Sequence, residues 1–246
     1  MHSVKNKIEM GRAFEFRKAR KMKRWGAMSR TFTRIGKDIV IAVKAGGPDP
    51  DTNSRLRAVM QNAKAANMPK DNIERAIKRA SDKALGDYKE TLFEGYAPHG
   101  IAVLVETATD NNNRTVANVR SYFTKCNGQL GTQGSVEFMF EHQCNFRLNN
   151  ETLELDAEEL ELELIDFGAE EVFDDEDGMM VYGGFADFGA LQKYFEENNI
   201  EILSSGFERI PTNTKELTKE QQEDVNKLLE KLEEDDDVQN VSHTMA

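Results

Sequence analysis

The amino-acid sequence predicts an α+β multidomain protein: an N-terminal three-helix bundle with a basic arm, followed by two α+β, ferredoxin-like domains, one inserted in the other. Three observations carry this expectation. Charge is divided between the two ends of the chain, apolar spacing is helical up to about residue 80, and strands then alternate with helices in two successive blocks.

At 246 residues the chain is long enough for two or three domains. Its 39% hydrophobic and 31% charged content suits a folded soluble protein rather than a disordered one. No apolar run approaches the ~20 residues of a membrane-spanning helix. The opening MHSVKNKIEM lacks the apolar core and small-residue cleavage site of a secretory signal. Cys126 and Cys144 form no CxxC and suggest no disulfide framework. A cytoplasmic location with no membrane partner is expected.

The net charge of -12 hides a division. Residues 1–86 hold 21 Lys+Arg against 8 Asp+Glu, or +13, while residues 87–246 hold 11 against 36, or -25. Such asymmetry points the basic part at nucleic acid or an anionic surface, and the acidic remainder limits non-specific sticking. The plainer alternative is a basic helical domain docked on its own acidic body. Charge is densest from Gly11 to Lys37, where Arg12, Arg17, Lys18, Arg20, Lys21, Lys23, Arg24, Arg30, Arg34 and Lys37 outnumber a single acid, Glu15. Phe14, Phe16, Trp25 and Phe32 are interleaved among them. From Arg12 to Arg30 the pattern is only weakly amphipathic, so an extended or partly helical arm that orders on its partner is expected. Met10 opens MGRAF, which reads as the true initiation, since the nine residues before it show no periodicity.

Thr31 is placed to cap a helix running to about Lys44, with Phe32, Ile35, Ile39 and Val43 on one face. Gly46-Gly47-Pro48 ends it. Asp51 or Asn53 caps a second helix with Leu56, Val59, Met60 and Ala63 inward, and Asn67 suits its left-handed terminus. Pro69 fits the first turn of a third helix, which buries Ile73, Ala76, Ile77 and Ala80. The polar faces then carry Arg55, Arg57, Lys64, Lys70, Arg75, Lys78 and Arg79, some of them as plain solvated surface. Beyond a linker at 81–87, strands are expected at 89–97 and 101–108, a helix at 114–126 and a third strand at 135–140. The second block reads as strands at 144–148, 170–175, 179–184 and 200–210, with helices at 156–167 and 188–198 and a tight turn at Asp177-Gly178. A helix at 218–234 and a strand at 238–243 return to complete the first sheet. The expected domains are 1–86, 87–142 with 206–246, and the inserted 143–205.

Catalytic signals are absent. His2, His99, His142 and His243 are scattered without metal-ligand spacing, and no GxSxG or phosphate loop occurs. Gly128, Gly131 and Gly134 lead into an expected strand rather than opening a helix, so a loop is the better reading than a dinucleotide site. The acids Asp174 to Asp177 fail the calcium-loop spacing, and Glu233 to Asp237 reads as a polar helix end. Binding has the better physical case. Lys and Arg neutralise phosphates and release counterions, Arg makes two-pronged contacts, and Phe14, Phe16 and Trp25 suit stacking on bases. Trp25 and Phe32 serve equally as anchors of the arm to the bundle, and Phe32, on the helical stripe, is assigned that role.

Three stretches add a resemblance. DPDTNSRLRAVMQNAKAANMPKDNIERAIKRAS (49–81), EGYAPHGIAVLVETATDNNNRTVANVRSYF (94–123) and GQLGTQGSVEF (128–138) resemble the YebC/PmpR family, as does LLEKLEEDDDVQNVSH (228–243). A mitochondrial relative in that family is the translational activator of cytochrome oxidase subunit I. The resemblance implies a cytoplasmic protein with a helical bundle and two α+β domains, the third inserted in the second. It also implies either a DNA-binding transcriptional regulator or a ribosome-associated factor that relieves stalling at proline-rich stretches, with Arg17, Lys18 and neighbouring cations as contacts. The family's Gly-His-Ser-Lys-Trp start is Gly11-Arg12-Ala13-Phe14-Glu15 here, while Arg17-Lys18-Ala19 matches.

The function expected is nucleic-acid-dependent regulation of gene expression, without enzyme activity, cofactor, metal or small-molecule substrate. A duplex-DNA-binding transcriptional regulator, a ribosome- or RNA-binding translation factor, and a protein–protein adaptor using the acidic domains are the competing forms. A flexible basic arm with aromatics fits folded RNA at least as well as B-DNA, and no helix-turn-helix spacing is evident. Candidate contacts are Arg12, Arg17, Lys18, Arg20, Lys21, Lys23, Arg24, Trp25, Arg30, Arg34, Lys37, Arg55, Arg57, Lys64, Lys70, Arg75, Lys78 and Arg79.

Overall fold

The computed structural model describes residues 28–82, 87–153, 155–175 and 178–246. The arm candidates from Arg12 to Trp25 lie outside the described residues, as does the turn residue Asp177. The first described helix, α1 (28–46), is already helical before Thr31, so Thr31 is not its cap. Hydroxyls are accommodated inside this turn: Thr33 Oγ1 donates to the Ser29 carbonyl, 3.1 Å away. Ile35, Ile39, Ala42 and Val43 of α1 pack on Leu56 and Ala63 of α2 (Ser54–Ala65) and on Ile73 and Ala80 of α3 (Lys70–Ala80). Asn53, not Asp51, caps α2. Its side-chain oxygen accepts from Leu56 N while its amide donates to the Ala42 and Gly47 carbonyls, fastening the α1–α2 turn. Asn67 adopts the left-handed conformation expected between α2 and α3 (φ 57°), and Pro69 stands just before α3 at its N-cap.

The chain continues through β1 (Lys89–Tyr96), β2 (Ala102–Thr109), α4 (Asn112–Lys125), β3 (Gln129–Leu130) and β4 (Phe140–Leu148). It goes on through α5 (Ala157–Leu164), β5 (Ala169–Asp175), β6 (Gly178–Gly184), α6 (Phe188–Glu197), β7 (Ile202–Pro211), α7 (Lys219–Glu233) and β8 (Val238–His243). Two four-stranded antiparallel sheets result, ordered β3-β1-β2-β8 and β5-β6-β4-β7. In the first, α4 and α7 lay Val119, Phe123, Val225, Leu228 and Leu232 on Phe93, Val103 and Val105. In the second, α5 and α6 bring Leu160, Leu164, Leu191 and Phe195 onto Phe146, Leu148 and Val181. The second sheet follows the β-α-β-β-α-β order of ferredoxin-like folds, whereas the first has the same layering in the order ββαβαβ. The strands of the second sheet, within 140–211, all fall between β3 and α7 of the first unit. The boundaries expected at 142/143 and 205/206 cut through β4 and β7, which are continuous strands.

The strand expected at 135–140 does not form. Glu137–Met139 is a 3₁₀ turn, and only Phe140 is extended, as the start of β4. The partner of β1 is instead β3, in the glycine-spaced stretch read as a loop. The cause is Glu94 on β1. Its buried carboxylate accepts N–H bonds from Gly134 (2.5 Å), Val136 (2.8 Å) and Glu137 (2.8 Å), which curls the segment instead of leaving it free to pair. Gly95 permits the close approach of β3: a Cβ there would lie 2.6 Å from the Gln129 carbonyl oxygen and 2.7 Å from the Phe123 ring.

Burial alone would raise the Glu94 pKa, but the backbone N–H groups hold it below the ordinary carboxylate value. Glu94→Gln is expected to cost about 1–3 kcal/mol at neutral pH, since its amide presents a donor to a ring of donors. The depressed pKa means this stabilisation is present above the ordinary value, about 4.3, and is lost as pH falls through the folded one. Urea midpoints of parent and variant should therefore converge on acidification.

Candidate nucleic-acid interface

α1 positions three sets of side chains at once. One side enters the bundle core, a second meets the first sheet, and a third lies along a groove beside α3. The second side decides the fate of two expected contacts. Arg34 Nε donates to the Val238 carbonyl and Nη2 to the Glu233 carbonyl, both at 2.9 Å, at the electronegative end of α7. Lys37 is 7% exposed, and its ammonium donates to the Ala108 carbonyl (2.8 Å), the Asp236 carbonyl (2.6 Å) and Asp237 Oδ1 (2.8 Å). Three donors meet three acceptors, which leaves Lys37 nothing for a phosphate. Both residues tie the bundle to the unit of the first sheet, which occupies the groups expected to contact a ligand.

Asp237 is the centre of that tie. It also accepts from Arg114 (2.7 Å), Thr109 (3.1 Å) and Thr115 (2.9 Å). Burial works against its charge, yet Lys37, Arg114 and Thr115 hold its pKa down at about 2. The run Glu233 to Asp237, read as a polar helix end, is thus an interdomain junction, and its neighbour Asp235 accepts from Tyr122 and Asn118. The one sequence signal was that Arg34 and Lys37 stand three apart, on one helical face.

The remaining candidates divide. Arg55 pairs with Glu90 at 2.7 Å. Arg57 pairs with Glu196 at 3.0 Å and reaches the Pro50 and Asp51 carbonyls, beside the point where the Asn62 amide bonds both Ser205 N (2.8 Å) and Ser205 O (2.5 Å) on the edge of β7. These hold α2 to the inserted sheet. Arg75 donates to the Asp71 carbonyl and to Asn72, and Lys70 has an exposed pair with Glu74 at 3.5 Å. Lys64, Lys78 and Arg79 are exposed and make no ion pair among the described residues. Arg30 stands one turn before Arg34 on α1, where its charge helps lower the Arg34 pKa after burial, the larger cause.

Between α1 and α3 runs a groove of about 520 Å³, lined by Phe32, Gly36 and Val40 on one side and Arg75, Ala76 and Arg79 on the other. Phe32, assigned from its spacing to the bundle anchor, lies outside the buried cluster and forms part of this wall. On the inserted unit, Phe185 (49% exposed) and Phe207 (42%) form an aromatic surface with His142, stacked on Phe185 at 3.9 Å. Burial and then Arg209 push His142 down to about 4, so it is neutral at physiological pH. Among the described residues no helix is long and apolar enough to cross a membrane.

Fold and surface define an α+β protein with a basic helical head and two acidic antiparallel sheets. A family model described as the TACO1/YebC protein N-terminal domain matches residues 12–83, and one described as the TACO1/YebC second and third domain matches 88–245. The chain belongs to the TACO1/YebC family. A Flavobacterium johnsoniae protein named probable transcriptional regulatory protein is 75% identical over 236 residues, spanning 96% of this chain and 99% of the relative. One of the same name from Parabacteroides distasonis is 63% identical, spanning 96% and 97%. The crystal structure of a conserved hypothetical protein from Aquifex aeolicus is 36% identical with a TM-score of 0.74, covering 89% of this chain and 90% of that one.

Proposed function

We propose that this chain is a non-enzymatic regulator of gene expression that works by binding nucleic acid through its basic head, of the transcriptional type its relatives' names state. The observation that carries the reading is the survival of exposed cations on the head, Lys64, Arg75, Lys78 and Arg79, after four others, Arg34, Lys37, Arg55 and Arg57, are consumed in ties to the body. They continue the charge of the arm, whereas the sheets behind them are strongly acidic. The cytoplasm, where such targets lie, is part of the same proposal.

Changing Arg17, Lys18, Arg20, Lys21, Lys23 and Arg24 together to Gln is expected to lower affinity for nucleic acid more than about tenfold. The salt dependence should flatten by ~0.7–0.9 for each phosphate that is no longer neutralised. Fluorescence anisotropy across a salt series measures both, and unchanged binding would exclude the arm.

A second reading, an RNA-bound translation factor, is favoured by the free face of α3. It carries Asp71 and Glu74 among its cations, and those carboxylates oppose insertion into a DNA major groove. Co-sedimentation with ribosomes at moderate salt separates the two: presence in the ribosomal fractions supports this reading, and footprinting on duplex DNA without it supports the first.

A further inference from the structure

We infer that the groove between α1 and α3 takes an unpaired base of a single-stranded nucleic acid, with Arg75 and Arg79 on the flanking phosphates. The inference rests on the nucleic-acid reading above and specifies the form of the ligand. Its first support is charge. In a chain with 44 Asp+Glu, the described lining of this groove includes Arg75 and Arg79 and no carboxylate, Lys37 in its wall being already paired with Asp237. Asp71 and Glu74, although on the same helix as Arg75, are not part of the lining. Its second support is the chemistry of the walls. Phe32 and Tyr88 bring aromatic rings beside Val40, Met68 and Ala76, and the Lys37 ammonium lies 5.3 Å from the Tyr88 ring centre. Apolar and aromatic walls with cations at the rim suit the flat face of a base and its phosphates. The volume, about 520 Å³, is in the range of roughly 300–1,000 Å³ typical of small organic ligands.

The third support is Gly36. It lies inside α1, where glycine is the poorest helix former after proline. Neither packing nor backbone geometry requires it there: a Cβ would meet nothing within 4 Å, and the conformation is one any residue adopts. Its effect is to leave the groove wall open down to the helix backbone. Phe32, Gly36 and Val40 repeat every four residues, so the opening is flanked one turn away on each side by an apolar side chain. A base in a duplex stays within its stack and cannot enter; an unpaired one can.

The test uses the full chain, short single-stranded RNA and DNA oligonucleotides of one sequence, and their blunt duplexes. Gly36→Leu fills the groove without removing a charge, and Gly36→Ala adds only the Cβ for which there is space. Gly36→Leu is expected to weaken single-strand binding by roughly tenfold, the scale of one base–aromatic contact, while duplex binding stays within about twofold and Gly36→Ala resembles the parent. Thermal melts verify that both variants fold, and Arg79→Gln provides a second variant that leaves the helix intact and should also weaken the single strand. Single-strand affinity unaffected by Gly36→Leu and Arg79→Gln, or reduced equally for duplex, would overturn the groove while leaving the nucleic-acid reading standing. A parent chain that binds none of the four probes would instead remove that reading and this inference with it.

Discussion

Asp237→Ala is expected to lower the stability of the protein by about 3–5 kcal/mol, the range for removing one partner of a buried ion pair. The loss is large because of what stays behind. Lys37 remains 7% exposed with only the Ala108 and Asp236 carbonyls for its charge, and the Thr109 and Thr115 hydroxyls lose an acceptor. Arg114 suffers less, since it is half-exposed and keeps Asp110 at 2.9 Å. Lys37→Met should cost less than Asp237→Ala, because Asp237 would retain Arg114 and both threonines. The double variant Lys37→Met/Asp237→Leu should recover much of the loss, since neither charge is then stranded. Urea unfolding of the four chains measures the coupling. Amide exchange should quicken in α1 and leave β5 and β6, in the other core, unchanged. A loss below about 1 kcal/mol for Asp237→Ala would show that the junction is solvated.

The same junction explains which parts of the molecule could be read from the chain. α2, α3 and α4 were legible because burial there is periodic: Leu56 and Ala63, Val119 and Phe123 repeat at helical spacing, and packing only had to agree with local preference. β3 was not, for its two residues pair with β1 only because Gly95 lacks a side chain and Glu94 gathers three distant N–H groups. No window of sequence around residue 130 contains that carboxylate. Charge was the weakest guide. A lysine aimed at phosphate and a lysine aimed at its own Asp237 are the same residue on the same face of α1, and only the position of β8 and the α7 terminus separates them. Hence Lys37 and Arg34 are engaged within the fold, whereas Lys64, Lys78 and Arg79 stay exposed and make no ion pair among the described residues. The plainer alternative of a head docked on its own acidic body is realised on one face of the bundle, while Lys64, Lys78 and Arg79 stay exposed elsewhere on it.

Asp38, on the docked side of α1, should make that docking depend on pH in the opposite sense to Glu94 and Asp237. It is part-buried against β8, where its Oδ1 lies 3.4 Å from Gln239 Nε2, and the charges around it are Arg34, Lys37, Arg55 and Glu90. Burial raises its pKa to about 7, Glu90 adds to the rise, and Arg55, Lys37 and Arg34 oppose it. In the unfolded chain the group ionises near 3.9. Between about pH 4 and pH 7 the folded state therefore holds a proton that unfolding releases, and stability falls as pH rises through that window. Three pH units at 1.36 kcal/mol each set a ceiling of about 4 kcal/mol, reduced to the extent that water reaches the exposed edge of the carboxyl. Asp38→Asn keeps the acceptor for Gln239 and cannot ionise. It should flatten the stability profile between pH 4 and 7 and exceed the parent at pH 8, while the acid-side loss through Glu94 and Asp237 persists below pH 4. Urea midpoints measured from pH 3 to 8 separate the two windows, and a variant that tracks the parent at every pH would mean that Asp38 is charged and hydrated in the fold.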